Sequence, residues 1–137
     1  MSEFDAIFQD KSILVTGHTG FKGSWLTMWL SRLGARVVGL SVDIPTEPAM
    51  FSVCSMQNDI VDFRLDVRNR EAIGDIVQKY RPDYVFHLAA QALVRRSHDN
   101  PKSTFDTNVS GAVNLLEVVR NSSDVQSLVF VSSDKCY

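Results

Sequence analysis

Short runs of nearly continuous apolar residues recur along this chain, and most stretches between them carry apolar residues at helical spacing. That alternation is the strongest constraint on what the chain can fold into. The runs are Ile13-Leu14-Val15, Arg36-Val37-Val38-Gly39-Leu40, the alternating stretch from Asp59 to Leu65, Tyr84-Val85-Phe86-His87-Leu88 and Leu128-Val129-Phe130-Val131. A strand that is apolar on almost every residue is buried on both faces, and strands that alternate with helices form a parallel sheet. The pattern therefore reads as α/β, a doubly wound parallel sheet that stops after about its fifth strand.

The helical segments follow from period and punctuation. Trp25, Leu26, Trp29, Leu30 and Leu33 recur at helical spacing, and Gly34 supplies a C-terminal stop. The Trp25/Trp29 stripe is read as core packing. Residues 43–58 hold two prolines and no clear period, so they read as a loop with one helical turn. Residues 69–80 put Ile73, Ile76, Val77 and Tyr80 on one face, and Arg81-Pro82 ends that helix because proline disfavours a helical residue before it. Asn100-Pro101, a cap followed by proline at the first helical position, opens one long helix to about Arg120. Asn108 falls in its middle, where asparagine is a poor helix former. It either bonds a neighbouring backbone and supports a site, or is a partly exposed polar position.

Composition excludes several classes of function. At 137 residues the chain is one domain, 1–137, by size. A net charge of −2 gives no electrostatic footprint for nucleic acid or an anionic membrane. No apolar run approaches the ~18 residues that span a bilayer. The N-terminal MSEFDAIFQDK is polar and acidic and does not read as a signal peptide. Cys54 and Cys136 are far apart, without CxxC spacing, and imply a reducing cytoplasm, with no disulfide framework and no metal site.

The first strand runs into Thr16-Gly17-His18-Thr19-Gly20-Phe21-Lys22-Gly23 and then into a helix. GxxGxxG differs from the usual GxGxxG by one residue, and the physical tasks survive. Gly17 allows the tight exit from the strand, Gly20 lets backbone approach a pyrophosphate, and Gly23 lets the helix pack close to the sheet. The N–H groups opening the helix at Phe21 and Lys22 then face the phosphates. A P-loop would need glycine at position 22, which is Lys22. Strand, glycine loop and helix together specify a Rossmann-type dinucleotide site. An acidic residue is expected about 20 positions on, and Asp43 lies there, with Ser41 at the strand end. Both are assigned to the adenosine ribose; the alternative for Asp43 is a solvated loop acid. No arginine stands at that strand end to meet a 2′-phosphate, so NAD is favoured over NADP.

Asp66-Val67 follows the third strand, where the carboxylate can accept from adenine's amino group and the next N–H can meet a ring nitrogen. The alternative is a plain cap for the following helix. Leu88, Ala89 and Ala90 are small enough to let a cofactor cross the fourth strand. His87, alternating within an apolar strand, reads as a satisfied core histidine. His18 reads as more exposed, beside the cofactor, and His98 as surface. Ser133-Asp134-Lys135 follows the fifth strand, offering a donor, a proton carrier and a tunable amine where such sheets bind ligands. The alternative is a polar strand exit.

The segments TGHTGFKGSWL, HLAAQALVRRS, TNVSGAVNLLE and SSDKCY resemble the extended short-chain dehydrogenase/reductase family across essentially the whole chain. The lysine of SSDK, where related dehydratases carry Thr-Asp-Glu, narrows the resemblance to sugar-nucleotide 4,6-dehydratases acting on CDP-glucose. The resemblance implies oxidation at C4 of the sugar, loss of water across C5 and C6, and reduction at C6. It implies that Ser133 bonds the reacting hydroxyl, Asp134 protonates the departing hydroxyl and Lys135 takes the C5 proton. Lysine can do this only if burial or a neighbouring cation lowers its pKa. Gln91 and Arg95 fall on the substrate side. The family's Tyr-x-x-x-Lys pair is not found in these residues, so the span is expected to bind NAD and to turn over little or no substrate by itself. Strand order 3-2-1-4-5 would also leave the LVFV strand as an apolar edge, so homodimers or edge-strand self-association are expected. A clean monomer at high concentration in light scattering would count against that.

Overall fold

The computed structural model describes residues 6–133. Five parallel strands form one sheet: β1 (Ser12–Thr16), β2 (Arg36–Ser41), β3 (Val61–Arg64), β4 (Tyr84–His87) and β5 (Ser127–Phe130), in the order β3-β2-β1-β4-β5. The doubly wound sheet is as the alternation predicts, with β5 at an edge. β3 is shorter than the alternation suggests, β4 ends one residue earlier than its apolar run, and β5 begins and ends one residue earlier.

Register explains the layering. Leu14 pairs with Val38 and Val85, and these point to the face covered by α3 (Arg70–Tyr80) and α6 (Gly111–Arg120), joining Ile73, Ile76, Val77 and Leu115 in one buried cluster. Ile13, Val15 and Val37 point to the opposite face, where Leu30 of α1 (Phe21–Arg32) packs on them. Asn69, not Asp66, caps α3, its side chain accepting from the Ala72 N–H at 3.1 Å.

Helix α1 corrects the expected stripe. Trp25 is 56% and Trp29 53% exposed, whereas Gly23, Ser24, Thr27 and Leu30 are buried. The cause is close approach: a Cβ on Gly23 would fall 2.0 Å from the Gly17 carbonyl oxygen. With the helix start held against the loop, mostly small side chains fit beneath it and both indoles turn outward.

The loop after β2 holds one short helix, α2 (Met50–Val53), and a 3₁₀ turn at Met56–Asn58, close to expectation. The long helix from Asn100 to Arg120 is found, but its α period is interrupted midway. Asn100 caps it, accepting from the Ser103 N–H at 3.1 Å, but α5 (Pro101–Phe105) gives way to a π turn at Asp106–Ser110 before α6 begins. An unanticipated short helix, α4 (Val94–Asp99), precedes it. Widened turns of this kind re-aim side chains, and here the residue re-aimed is Asn108. Its Oδ1 accepts from the Gln91 N–H at 2.7 Å and its Nδ2 donates to the Gln91 carbonyl at 3.0 Å, so it does clamp a neighbouring backbone. Among the described residues, no helix is long and apolar enough to cross a membrane.

Candidate functional site

The carboxyl ends of β1, β2 and β4 converge where the strand order reverses, and a cleft of about 170 Å³ opens there. Two larger hollows, of about 500 and 570 Å³, include residues at the amino ends of the strands or the loops beside them, away from the glycine loop. The cleft at the reversal is the place where open α/β sheets bind ligands.

Its floor is the glycine loop. Gly17 has φ +74, donates its N–H to the Leu40 carbonyl at 2.8 Å, and leaves no room for a Cβ, which would lie 2.7 Å from the Ala89 nitrogen. Gly20 differs. A Cβ there would meet only the Gly17 oxygen, at 3.4 Å, so within the chain itself position 20 has space. That space belongs to the cleft, which Gly20 lines. No side chain caps α1. The N–H groups of its first turn, at Phe21, Lys22 and Gly23, are left at the end where the helix dipole favours an anion.

Of the residues assigned to a cofactor from sequence, Gly17, Thr19, Gly20, Ser41, Asp43, Val67, Leu88, Ala89 and Ala90 line this cleft. Phe21 and Lys22 are exposed at the start of α1, and Gly23 is buried beneath the loop. Asp66 is not a lining residue. Its carboxylate is gripped by the Arg68 guanidinium, with Nε at 3.0 Å from Oδ1 and 2.9 Å from Oδ2, which holds its pKa below the usual carboxylate value. Gln91 Nε2 donates to the Leu93 carbonyl and to Thr104 Oγ1, and Arg95 is exposed on α4. Ser133 is exposed beyond β5, while Asp134 and Lys135 lie outside the described residues. Sequence reasoning missed Val42, Pro45, Leu65 and Thr107, which also line the cleft. The first three neighbour assigned residues; Thr107 is brought in by the π turn, which leaves no sequence period.

His18 is the main correction at the site. It is fully buried instead of exposed, with Nδ1 3.0 Å from Ser41 Oγ and Nε2 2.8 Å from Asp62 Oδ1. The loop turns it inward onto β2 and β3, where Gly39 makes room: a Cβ there would come within 2.4 Å of the ring. A glycine inside a strand is the sequence signal of such a close approach. Burial lowers the imidazole pKa, and the bond to Asp62 opposes that only in part. The neutral ring donates from Nε2 to the carboxylate, so Nδ1 accepts from the Ser41 hydroxyl. Ser41 Oγ, at 3.4 Å from the Thr19 N–H, then faces the cleft as an acceptor. Thr19 Oγ1 donates to the Asp43 carbonyl at 2.6 Å and ties the loop after β2 to the glycine loop. His87 is a core residue, as expected, 2% exposed and with Nδ1 2.7 Å from Thr16 Oγ1.

What the site offers a dinucleotide is the glycine loop and the uncapped helix start behind it. The cleft's lining carries one formal charge, Asp43, and no lysine or arginine. Its walls at Ala89 and Ala90 are small, and its glycine cradle has space for something other than a side chain. Among the described residues, no group of three or more histidine, cysteine or acidic side chains could hold a metal ion.

A parallel sheet wound in this order, with a glycine-floored cleft at its reversal, is a Rossmann-type fold. The chain belongs to the GDP-mannose 4,6 dehydratase family, whose model matches residues 14–137. It is 44% identical over 131 residues to a CDP-glucose 4,6-dehydratase of Salmonella typhimurium, an alignment covering 95% of this chain and 36% of that protein. Against UDP-glucuronate 4-epimerase 1 of Arabidopsis thaliana the identity is 34%, covering 92% and 30%. The UDP-glucose 4-epimerase of Thermotoga maritima, solved with UDP-glucose, superposes with a TM-score of 0.80 at 31% identity, covering 89% of this chain and 38% of that one. The UDP-glucose 4-epimerase of Thermus thermophilus, solved with NAD, gives 0.75 at 32%, covering 89% and 37%. The chain thus spans between 30% and 38% of the length of these relatives.

Proposed function

We propose that the cleft binds NAD and that this span is the cofactor-binding part of a sugar-nucleotide 4,6-dehydratase acting on CDP-glucose. The observation that carries the reading is the 44% identity to such a dehydratase over nearly the whole chain, together with a glycine cradle of the right build. When bound, NAD would supply the oxidation at C4 and the reduction at C6 that bracket the loss of water.

The chain's own residues would do the rest. The first-turn amides of α1 hold the pyrophosphate above Gly20. Ser41 accepts from an adenosine ribose hydroxyl and Asp43 from its neighbour. Asp66 and the Val67 N–H meet the adenine. Leu88, Ala89 and Ala90 leave room along β4. Ser133 bonds the reacting hydroxyl, Asp134 protonates the departing C6 hydroxyl, Lys135 takes the C5 proton, and Gln91 and Arg95 stand on the sugar-nucleotide side. A 4-epimerase is the second reading, favoured by the UDP-glucose 4-epimerases among the similar structures. A product lighter than CDP-glucose by one water, against one of equal mass, separates the two readings once a Tyr-x-x-x-Lys segment is joined to this span.

Calorimetric titration with NAD and with NADP tests the cleft itself. The expected result is saturable NAD binding, with NADP at least about tenfold weaker, because a 2′-phosphate beside Asp43 meets a like charge and no cation in the lining. Equal affinities would remove the assigned roles of Asp43 and Ser41. Binding of neither would sink the dinucleotide reading.

A further inference from the structure

The turn between β3 and α3 is held from two sides. From within, the Asn69 N–H donates to the Asp66 carbonyl at 2.9 Å, and the Arg68 N–H donates to Asp66 Oδ1 at 2.9 Å. From across the fold, Asn114 of α6 donates Nδ2 to the Val67 carbonyl at 3.2 Å and to the Arg68 carbonyl at 2.9 Å. An asparagine in mid-helix costs helix propensity, and both of its amide hydrogens go to successive carbonyls of this one turn. Gly111, three residues earlier, lets α6 press close: a Cβ there would lie 2.6 Å from Val67 Cγ2.

The consequence falls on the Val67 N–H. In a trans peptide the N–H points opposite to the carbonyl it is joined to, and the Asp66 carbonyl is directed at Asn69. Among the described residues, the Val67 N–H meets no acceptor, and Val67 lines the cleft. Turning that peptide would break the Asp66–Asn69 bond, and the hold of Asn114 on the next two carbonyls keeps the rest of the turn from following it.

We propose that Asn114 is a positioning residue for adenine. By fixing the Val67 and Arg68 carbonyls from α6, it sets the angle at which the Val67 N–H and the Asp66 carboxylate meet the edge of the base. This rests on the reading of the cleft as a NAD site and adds to it a residue remote from the cofactor.

The test is titration of the unchanged chain and of Asn114→Ala with NAD and with nicotinamide hypoxanthine dinucleotide, in which oxygen replaces the adenine amino group. The unchanged chain should prefer NAD by about tenfold or more, the usual worth of a hydrogen bond to a charged group. In Asn114→Ala, NAD affinity should fall about tenfold and the preference should shrink toward unity. A role confined to stability would weaken both dinucleotides alike and leave their ratio intact, which would overturn the proposal. So would an unchanged chain that binds both equally, with the NAD reading left standing. No NAD binding by the unchanged chain would overturn both. Should the variant not fold, NMR of the unchanged chain decides: the Asn114 side-chain amide should shift with AMP and not with IMP, and equal shifts would count as refutation.

Discussion

Gly23→Ala should destabilise the chain severely, while Gly20→Ala should fold normally and lose NAD. The two glycines stand three residues apart in one loop, yet their surroundings differ. At Gly23 a methyl group would lie 2.0 Å from the Gly17 oxygen and 2.8 Å from the His18 Cα, both backbone atoms that no rotamer change can move. Helix α1 would have to lift from the sheet, uncovering Leu30 and the buried Ile13, Val15 and Val37 beneath it. Overpacking of this kind costs about 3 kcal/mol or more, a large share of the 5–15 kcal/mol typical of a domain. The melting temperature should fall by roughly 10 °C. At Gly20 the nearest atom to the added methyl is 3.4 Å away, so melting should move by no more than ~2 °C. The methyl would stand where the pyrophosphate is proposed to pass, and NAD affinity should drop at least tenfold. Thermal scans beside calorimetry read both. A Gly20→Ala chain that binds NAD as before would show that the cradle has another purpose.

The same contrast shows which features were legible in the sequence. The strands and most of the cleft lining follow from short-range signals: apolar runs, a strand–glycine–helix junction, and small residues after β4. Each is a property of a few consecutive residues. The errors lie where a side chain's direction depends on a partner distant in sequence. From its place in the glycine loop, His18 reads as exposed beside the cofactor. Its burial depends on Gly39 and Asp62, 21 and 44 positions on, which give the ring a space and a carboxylate. Trp25 and Trp29 fit a helical apolar stripe, and helical spacing cannot say how close a helix sits to its sheet. The π turn escaped for a related reason: Asn108 abandons the helical period to reach Gln91, and the gain lies in a contact 17 residues away. The catalytic assignment of Asp134 and Lys135 rests on resemblance alone, since both lie outside the described residues.

Acidification should cost the chain about 3 kcal/mol between pH 6.5 and 4, chiefly through His87. Burial pushes this imidazole from its ordinary 6.5 down to about 4. Its hydrogen bonds explain why the neutral ring suits the site. Thr16 Oγ1 lies 3.2 Å from both the Leu88 and Ala89 N–H groups and accepts from them, so its single hydrogen is donated to His87 Nδ1. A protonated ring would bring a third donor to that oxygen. The unfolded chain takes up the proton near pH 6.5 and the folded chain only near 4, so between those values the unfolded state binds more protons and stability falls as pH falls. Below about pH 4 both states are protonated and this group contributes no further loss. His18, also lowered by burial, acts with the same sign. Urea unfolding at several pH values should show the slope in the native sequence. His87→Asn, which keeps an acceptor near the Nδ1 position, should be less stable at pH 7 but flatter between 6.5 and 4, with the residue of the slope left to His18. An unaltered slope would mean that His87 is not the group that titrates. The Leu88–Ala89 peptide bonded by Thr16 is also a wall of the cleft. NAD affinity of the folded native chain should therefore hold down to about pH 5 and weaken as pH falls through about 4, where the folded ring takes up its proton, and less so in the variant.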